Sequence, residues 1–88
     1  MIEDGSYSEV ADAQLDELEA GADPELYDAV LAACALVFAR PSLAQSSSSA
    51  IPTSDGVVLR LAVPERPDWK VFWTSTGPRI EAVLRYPA

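Results

Sequence analysis

Five side chains in the C-terminal half carry most of the chemistry this sequence can offer: Arg60, Lys70, Arg79, Arg85 and the phenol of Tyr86. Guanidinium and ammonium groups present fixed charge and N–H donors to phosphate or carboxylate oxygens, and a phenol can hand on a proton. The chain has no histidine, which removes imidazole bases, His-ligated metals and Ser–His–Asp triads together. Acid and base roles then fall on Lys70, on a carboxylate such as Glu81, or on Tyr86. Each cation also has a plainer reading: Arg60, Lys70 and Arg85 suit the solvated outer face of a one-sided sheet, and Arg79 suits a turn. The single cysteine, Cys34, cannot form an internal disulfide and lies in an apolar helical run, where a buried thiol is expected.

The charge is unevenly spread along the 88 residues. Residues 1–45 hold ten carboxylates and one arginine, whereas residues 46–88 hold five basic and four acidic side chains, for a total of −8. Every cation except Arg40 therefore falls in the second half, and a polyanion would have to be met there. The overall charge argues against broad, non-specific binding to nucleic acid or anionic membrane. The start, Met1-Ile2-Glu3-Asp4, has no basic stretch before an apolar one. The longest apolar run, Ala29 to Ala39, is too short to cross a bilayer, which takes about 20 residues. The expectation is a cytoplasmic protein forming one domain over 1–88, with no membrane partner.

The elements that must position these side chains follow from pattern. Ser6 and Glu9 fit a capping box opening a helix that runs to about Ala20 and stops at Gly21, a natural residue just past a helix end. Its carboxylates Asp12, Asp16, Glu17 and Glu19 read as a solvated face rather than a metal cluster, so no metal or other cofactor is expected. Asp23-Pro24-Glu25 starts a second helix, ended by Pro41. That helix is apolar almost all round from Ala29 onward, which places it between the first helix and a sheet. Residues 42–55, rich in serine, read as a loop, and Pro64 to Asp68 as a connection between strands. Strands are expected at Val57–Val63, Trp69–Thr74 and Arg79–Tyr86. Alternation puts Trp69, Val71 and Trp73 on the core face, and Lys70, Phe72 and Thr74 on the other. In the last strand Ile80, Ala82, Leu84 and Tyr86 share one face, and Arg79, Glu81, Val83 and Arg85 the opposite one. The expected core is Leu15, Leu18, Leu26, Val30, Leu31, Val37, Val71, Trp73, Ile80 and Leu84. The fold class is α+β: a helical hairpin packed on a small antiparallel sheet of three strands, or four if the N-terminus adds one.

Two helices, a loop, Val57-Val58-Leu59-Arg60-Leu61, then Trp69-Lys70-Val71-Phe72-Trp73 and a last apolar strand together resemble the RelE/ParE superfamily of bacterial type II toxin–antitoxin systems. The middle strand matches the family's aromatic–Arg–aliphatic–x–aromatic pattern with Lys70 in the arginine position, and Leu59-Arg60-Leu61 matches a basic residue between aliphatics. The resemblance implies a toxin that inhibits translation as a metal-independent mRNA endoribonuclease on the ribosome, or that poisons DNA gyrase, and a cognate antitoxin that neutralises it. On the nuclease reading, Arg60, Lys70, Arg85 and Tyr86 would be the catalytic set, and Arg60, Lys70, Arg79 and Arg85 the cations that bind nucleic acid or partner.

This sequence departs from the family pattern in three ways. Residues 1–5 are too short and polar for the family's first edge strand, no basic segment follows Tyr86, and the acidic balance differs from the usual basic character of ribosome-dependent members. The alternative is a non-catalytic RelE-like protein-interaction module. Small size and an open sheet edge add the expectation of a homodimer or of a partner segment laid across the domain.

Overall fold

The computed structural model describes residues 6–86. It is an α+β fold in which helices α1 (Glu9–Ala20), α2 (Pro24–Ala39) and α3 (Pro41–Ser46) precede strands β1 (Ser48–Thr53), β2 (Gly56–Val63), β3 (Arg66–Thr74) and β4 (Arg79–Arg85). The strands form one antiparallel meander in the order β1-β2-β3-β4. α1 packs on β4 and α2 on β2 and β3, so the helices cover one face of the sheet. α1 and α2 lie side by side in that layer. α2 is thus not sandwiched beneath α1, contrary to the sequence expectation. The apolar run misled because its outward positions are alanines: Ala32, Ala35 and Ala39 are exposed, at little cost to a helix.

The start of α1 differs from the expected box. Ser8, not Ser6, is the N-cap, and its Oγ accepts from the Ala11 N–H at 3.0 Å. The cause is the preceding backbone, which runs parallel to β4. Ser8 N–H donates to the Ile80 carbonyl at 2.9 Å and Ile80 N–H to the Ser6 carbonyl at 2.8 Å. Ser8 Oγ donates in turn to the Glu81 carbonyl at 2.6 Å, so one hydroxyl caps the helix and ties it to the sheet. Among the described residues the fourth strand of the sheet is β1, and the segment before α1 adds an isolated bridge. The reading of residues 1–5 lies outside the described residues. α1 stops at Gly21 as expected, and this residue closes the helix in an extended conformation, φ −79°, with its N–H donating to the Leu18 carbonyl.

α2 starts as expected, with Asp23 Oδ1 accepting from the Leu26 N–H at 3.0 Å and Pro24 in the first turn. Asp23 does more than cap. Both its oxygens receive Arg66, at 3.0 and 3.2 Å, which clamps the start of α2 to the start of β3. The Arg66 guanidinium and the Leu26 amide hold the Asp23 carboxyl below its ordinary value.

Residues 42–55 are not a loop. Pro41 ends α2 and occupies the first turn of α3, and Ser48–Thr53 pairs with β2 across the Ser54–Asp55 turn. Similarly, β3 begins at Arg66, so most of the expected connection is strand.

The core joins Ala11, Leu15, Leu26, Val30, Ala33, Cys34 and Val37 of the helices to Leu59, Leu61, Val63, Val71, Trp73, Ile80 and Val83 of the sheet. Leu18, Leu31 and Leu84, expected inside, are only half-buried. For Leu84 the reason is a bulge. Phe72 pairs with Ala82 but Trp73 pairs with Ile80, leaving Glu81 as an extra residue in β4. The alternation slips there, so Ile80 and Val83 both face the helices. Beyond the bulge, Ala82, Leu84 and Tyr86 turn to the outer face.

Candidate functional site

The bulge at Glu81 decides which chemistry meets which. Without it, Tyr86 would share the core face with Ile80. With it, Tyr86 lies over the outer face of the sheet, the face that none of the described helices covers. Its N–H donates to the Asp68 carbonyl at 2.8 Å, which extends the ladder past β4. Its ring lies edge-on to Phe72, with centroids 6.3 Å apart and planes at 87°. The Arg60 guanidinium sits over the same ring, 5.1 Å from its centroid. Cation–π contact fixes the face of the guanidinium and leaves its in-plane N–H donors for an oxygen ligand. Tyr86 is 45% exposed, so the phenol and its cation are within reach of a ligand.

Lys70 and Phe72 join Arg60 on this face through strand register, since Arg60 lies opposite Phe72 and Ala62 opposite Lys70. Lys70 Nζ donates to the Pro67 carbonyl, which draws the ammonium toward the β2–β3 turn. Around these groups stand Ala62, Ala82 and Leu84, an apolar floor between cations. At the far end of the face Arg79 Nε lies 3.9 Å and Thr74 Oγ1 3.5 Å from Glu81 Oε2. Arg79 thus shares the outer face with Lys70.

Arg85 stands elsewhere. It pairs across the ladder with Trp69, on the helix side, and its Nε meets Asp68 Oδ2 at 3.2 Å. Beside it, Gln14, Glu17, Leu18 and Trp69 form a shallow groove between α1 and the sheet. The expected common face for Arg79 and Arg85 does not exist, because the bulge lies between them. Of the expected catalytic set the fold brings together Arg60, Lys70 and Tyr86, and sends Arg85 to the opposite side.

The remaining acid–base candidates are divided as well. Glu81, in β4, and Tyr86, just past its end, are five residues apart, about 15 Å along extended chain. Glu81 engages Arg79 and Thr74, while Tyr86 engages Arg60 and Phe72. Glu81 and Tyr86 therefore do not form an acid–base pair, which leaves Lys70 as the acid–base candidate that shares the face with Tyr86, beside groups able to bind an anion flanked by apolar or aromatic contacts.

Two further features narrow the choice. The concavity between α2 and the β2–β3 turn is lined by Glu25, Asp28, Glu65 and Arg66, and its one cation is already held by Asp23. Cys34 is buried, and burial pushes its thiol up to about 12, so it stays protonated and is no nucleophile. Among the described residues no three His, Cys, Asp or Glu side chains are grouped to hold a metal ion, and no helix is long and apolar enough to cross a membrane.

Sequence reasoning missed the Asp23–Arg66 clamp, since nothing in spacing links residues so far apart. It also missed the Arg60–Tyr86 contact, which depends on a bulge that no glycine or proline marks in β4. The signal for Phe72 was present, two residues from Lys70 in the same strand. Comparison with protein-family models, curated proteins and solved structures yields no match.

Proposed function

We propose that the chain is a growth-inhibiting toxin of RelE/ParE type, with the outer sheet face as its working surface and a cognate antitoxin that neutralises it. The observation that carries this reading is the gathering of Arg60, Lys70 and Tyr86 on the sheet face that the described helices leave uncovered, in a chain whose carboxylates lie mostly in the helical layer. Arg60 and Lys70 supply donors for a target's phosphates or carboxylates. Phe72 and Tyr86 supply apolar contact beside them.

A second reading is favoured by the separation of Glu81 from Tyr86 and by the removal of Arg85 to the helix side: a non-catalytic module that uses the same face to hold a protein partner. The target class distinguishes these readings. A nuclease acting on ribosome-bound mRNA must place both an acid and a base at one phosphodiester. A gyrase poison or an interaction module needs only the contact surface.

The test is induced expression in bacteria, with and without the neighbouring gene. Arrest relieved by that gene, with mRNA cleaved at defined codons, supports the nuclease branch. Arrest with DNA breaks and filamentation supports the gyrase branch. Full expression without a growth defect leaves the interaction module.

A further inference from the structure

The two edges of the sheet are treated differently. The β4 edge is closed by its own chain: Ser6 and Ser8 bond the Ile80 backbone, Ser8 Oγ takes the Glu81 carbonyl, and Gln14 Oε1 accepts from the Val83 N–H at 2.6 Å. The β1 edge has no such cover among the described residues. Its backbone pairs with β2 on one side only, and Ser49, Ala50, Pro52 and Thr53 are exposed. Edge strands are usually guarded by charge, proline or a bulge. Here the guard is Pro52 alone, near the strand's end, which leaves Ser48 to Ile51 able to pair.

What surrounds this edge points to the occupant. From Pro41 to Ser54 the sequence carries no charged residue, and this segment is α3, β1 and the start of the turn. Two of the exposed large hydrophobic residues adjoin it: Leu43 in α3, and Val57 opposite Pro52. The carboxylates of α1 (Glu9, Asp12, Asp16, Glu17 and Glu19) sit over β4, at the far edge.

We propose that two copies of this chain pair antiparallel through β1, joining their sheets into one of eight strands. In that arrangement the two α1 helices are seven strand spacings apart, about 34 Å. This is several times the screening length of about 8 Å at physiological ionic strength, and α2, which carries Glu25 and Asp28 over β2 and β3, lies three to five spacings from its copy, about 14–24 Å, so the copies approach through their uncharged edges with the helical carboxylates beyond that length. Antiparallel pairing also sends the two Asp55 turns to opposite ends of the junction. A two-fold axis through the junction keeps both helical layers on one side. The two outer faces, each with Arg60, Lys70 and Tyr86, become continuous on the other. The proposal is independent of the toxin reading, since it rests on the edge and not on the face.

Sedimentation of the full chain from about 1 µM to about 500 µM tests it, the range in which a small interface forms and dissociates. The wild type is expected to pass from monomer to dimer. Ala50→Lys, an exposed edge substitution, is expected to stay monomeric with an unchanged thermal melt. Hydrogen exchange on the wild type gives a second readout without any variant: amides within Ser48–Ile51 should slow several-fold as concentration rises, while those of α1 do not. A wild type that remains monomeric throughout overturns the proposal. So does a dimer that Ala50→Lys leaves intact and that gives β1 no concentration-dependent protection.

Discussion

Trp73 has no exposed surface, and its indole N–H donates to Ser48 Oγ at 3.1 Å. It therefore does two jobs at once, filling the space beneath α2 and holding the first residue of β1. Truncation to alanine is expected to cost about 3–5 kcal/mol in urea unfolding, with cavity formation the main cause. A loss under about 1 kcal/mol would mean that the ring is not enclosed. The burial of Trp73 was legible from simple alternation with Val71. The role of Tyr86 was not. Alternation alone put it with Ile80, and only the extra residue at Glu81 turns it outward to meet Arg60.

At the scale of elements, the helix starts are held by single side chains that also reach the sheet. Ser8 does this for α1 and Asp23 for α2. Because the Asp23 carboxyl is held below its ordinary value of 3.8, chiefly by the Arg66 hydrogen bond, its contribution to stability is complete above that value. It is lost as pH falls through the lowered folded-state value. Asp23→Asn keeps a capping oxygen but gives up the ion pair. Its stability should fall less than the wild type's between neutral and acid pH, since other carboxylates titrate in both. Urea melts over that range check this, and parallel curves would mean that the clamp contributes nothing. The helices themselves were legible because capping residues and apolar spacing agree. α3 and β1 were hidden for physical reasons: a serine run has no hydrophobic period, and Pro52 demotes any strand that contains it. As an edge strand bonded to β2 alone among the described residues, β1 can hold that composition.

On the scale of the whole molecule, the acidic helical layer and the cationic, aromatic sheet face divide the surface by charge. That division was readable from the order of residues, since the acidic half is helical and the mixed half is sheet. Which cations share a face was not readable, because one bulge exchanges Arg85 for Tyr86. On the proposed reading, the outer sheet face with Arg60, Lys70 and Tyr86 is where this protein meets its target. The most direct measurement compares growth arrest by two variants at matched expression and matched thermal stability. Arg60→Glu with Lys70→Glu reverses the charge of the outer face, whereas Arg85→Glu reverses a cation on the helix side. The first is expected to abolish arrest and the second to leave it at wild-type strength. Arrest that survives reversal of Arg60 and Lys70 but fails with Arg85→Glu would contradict the assignment.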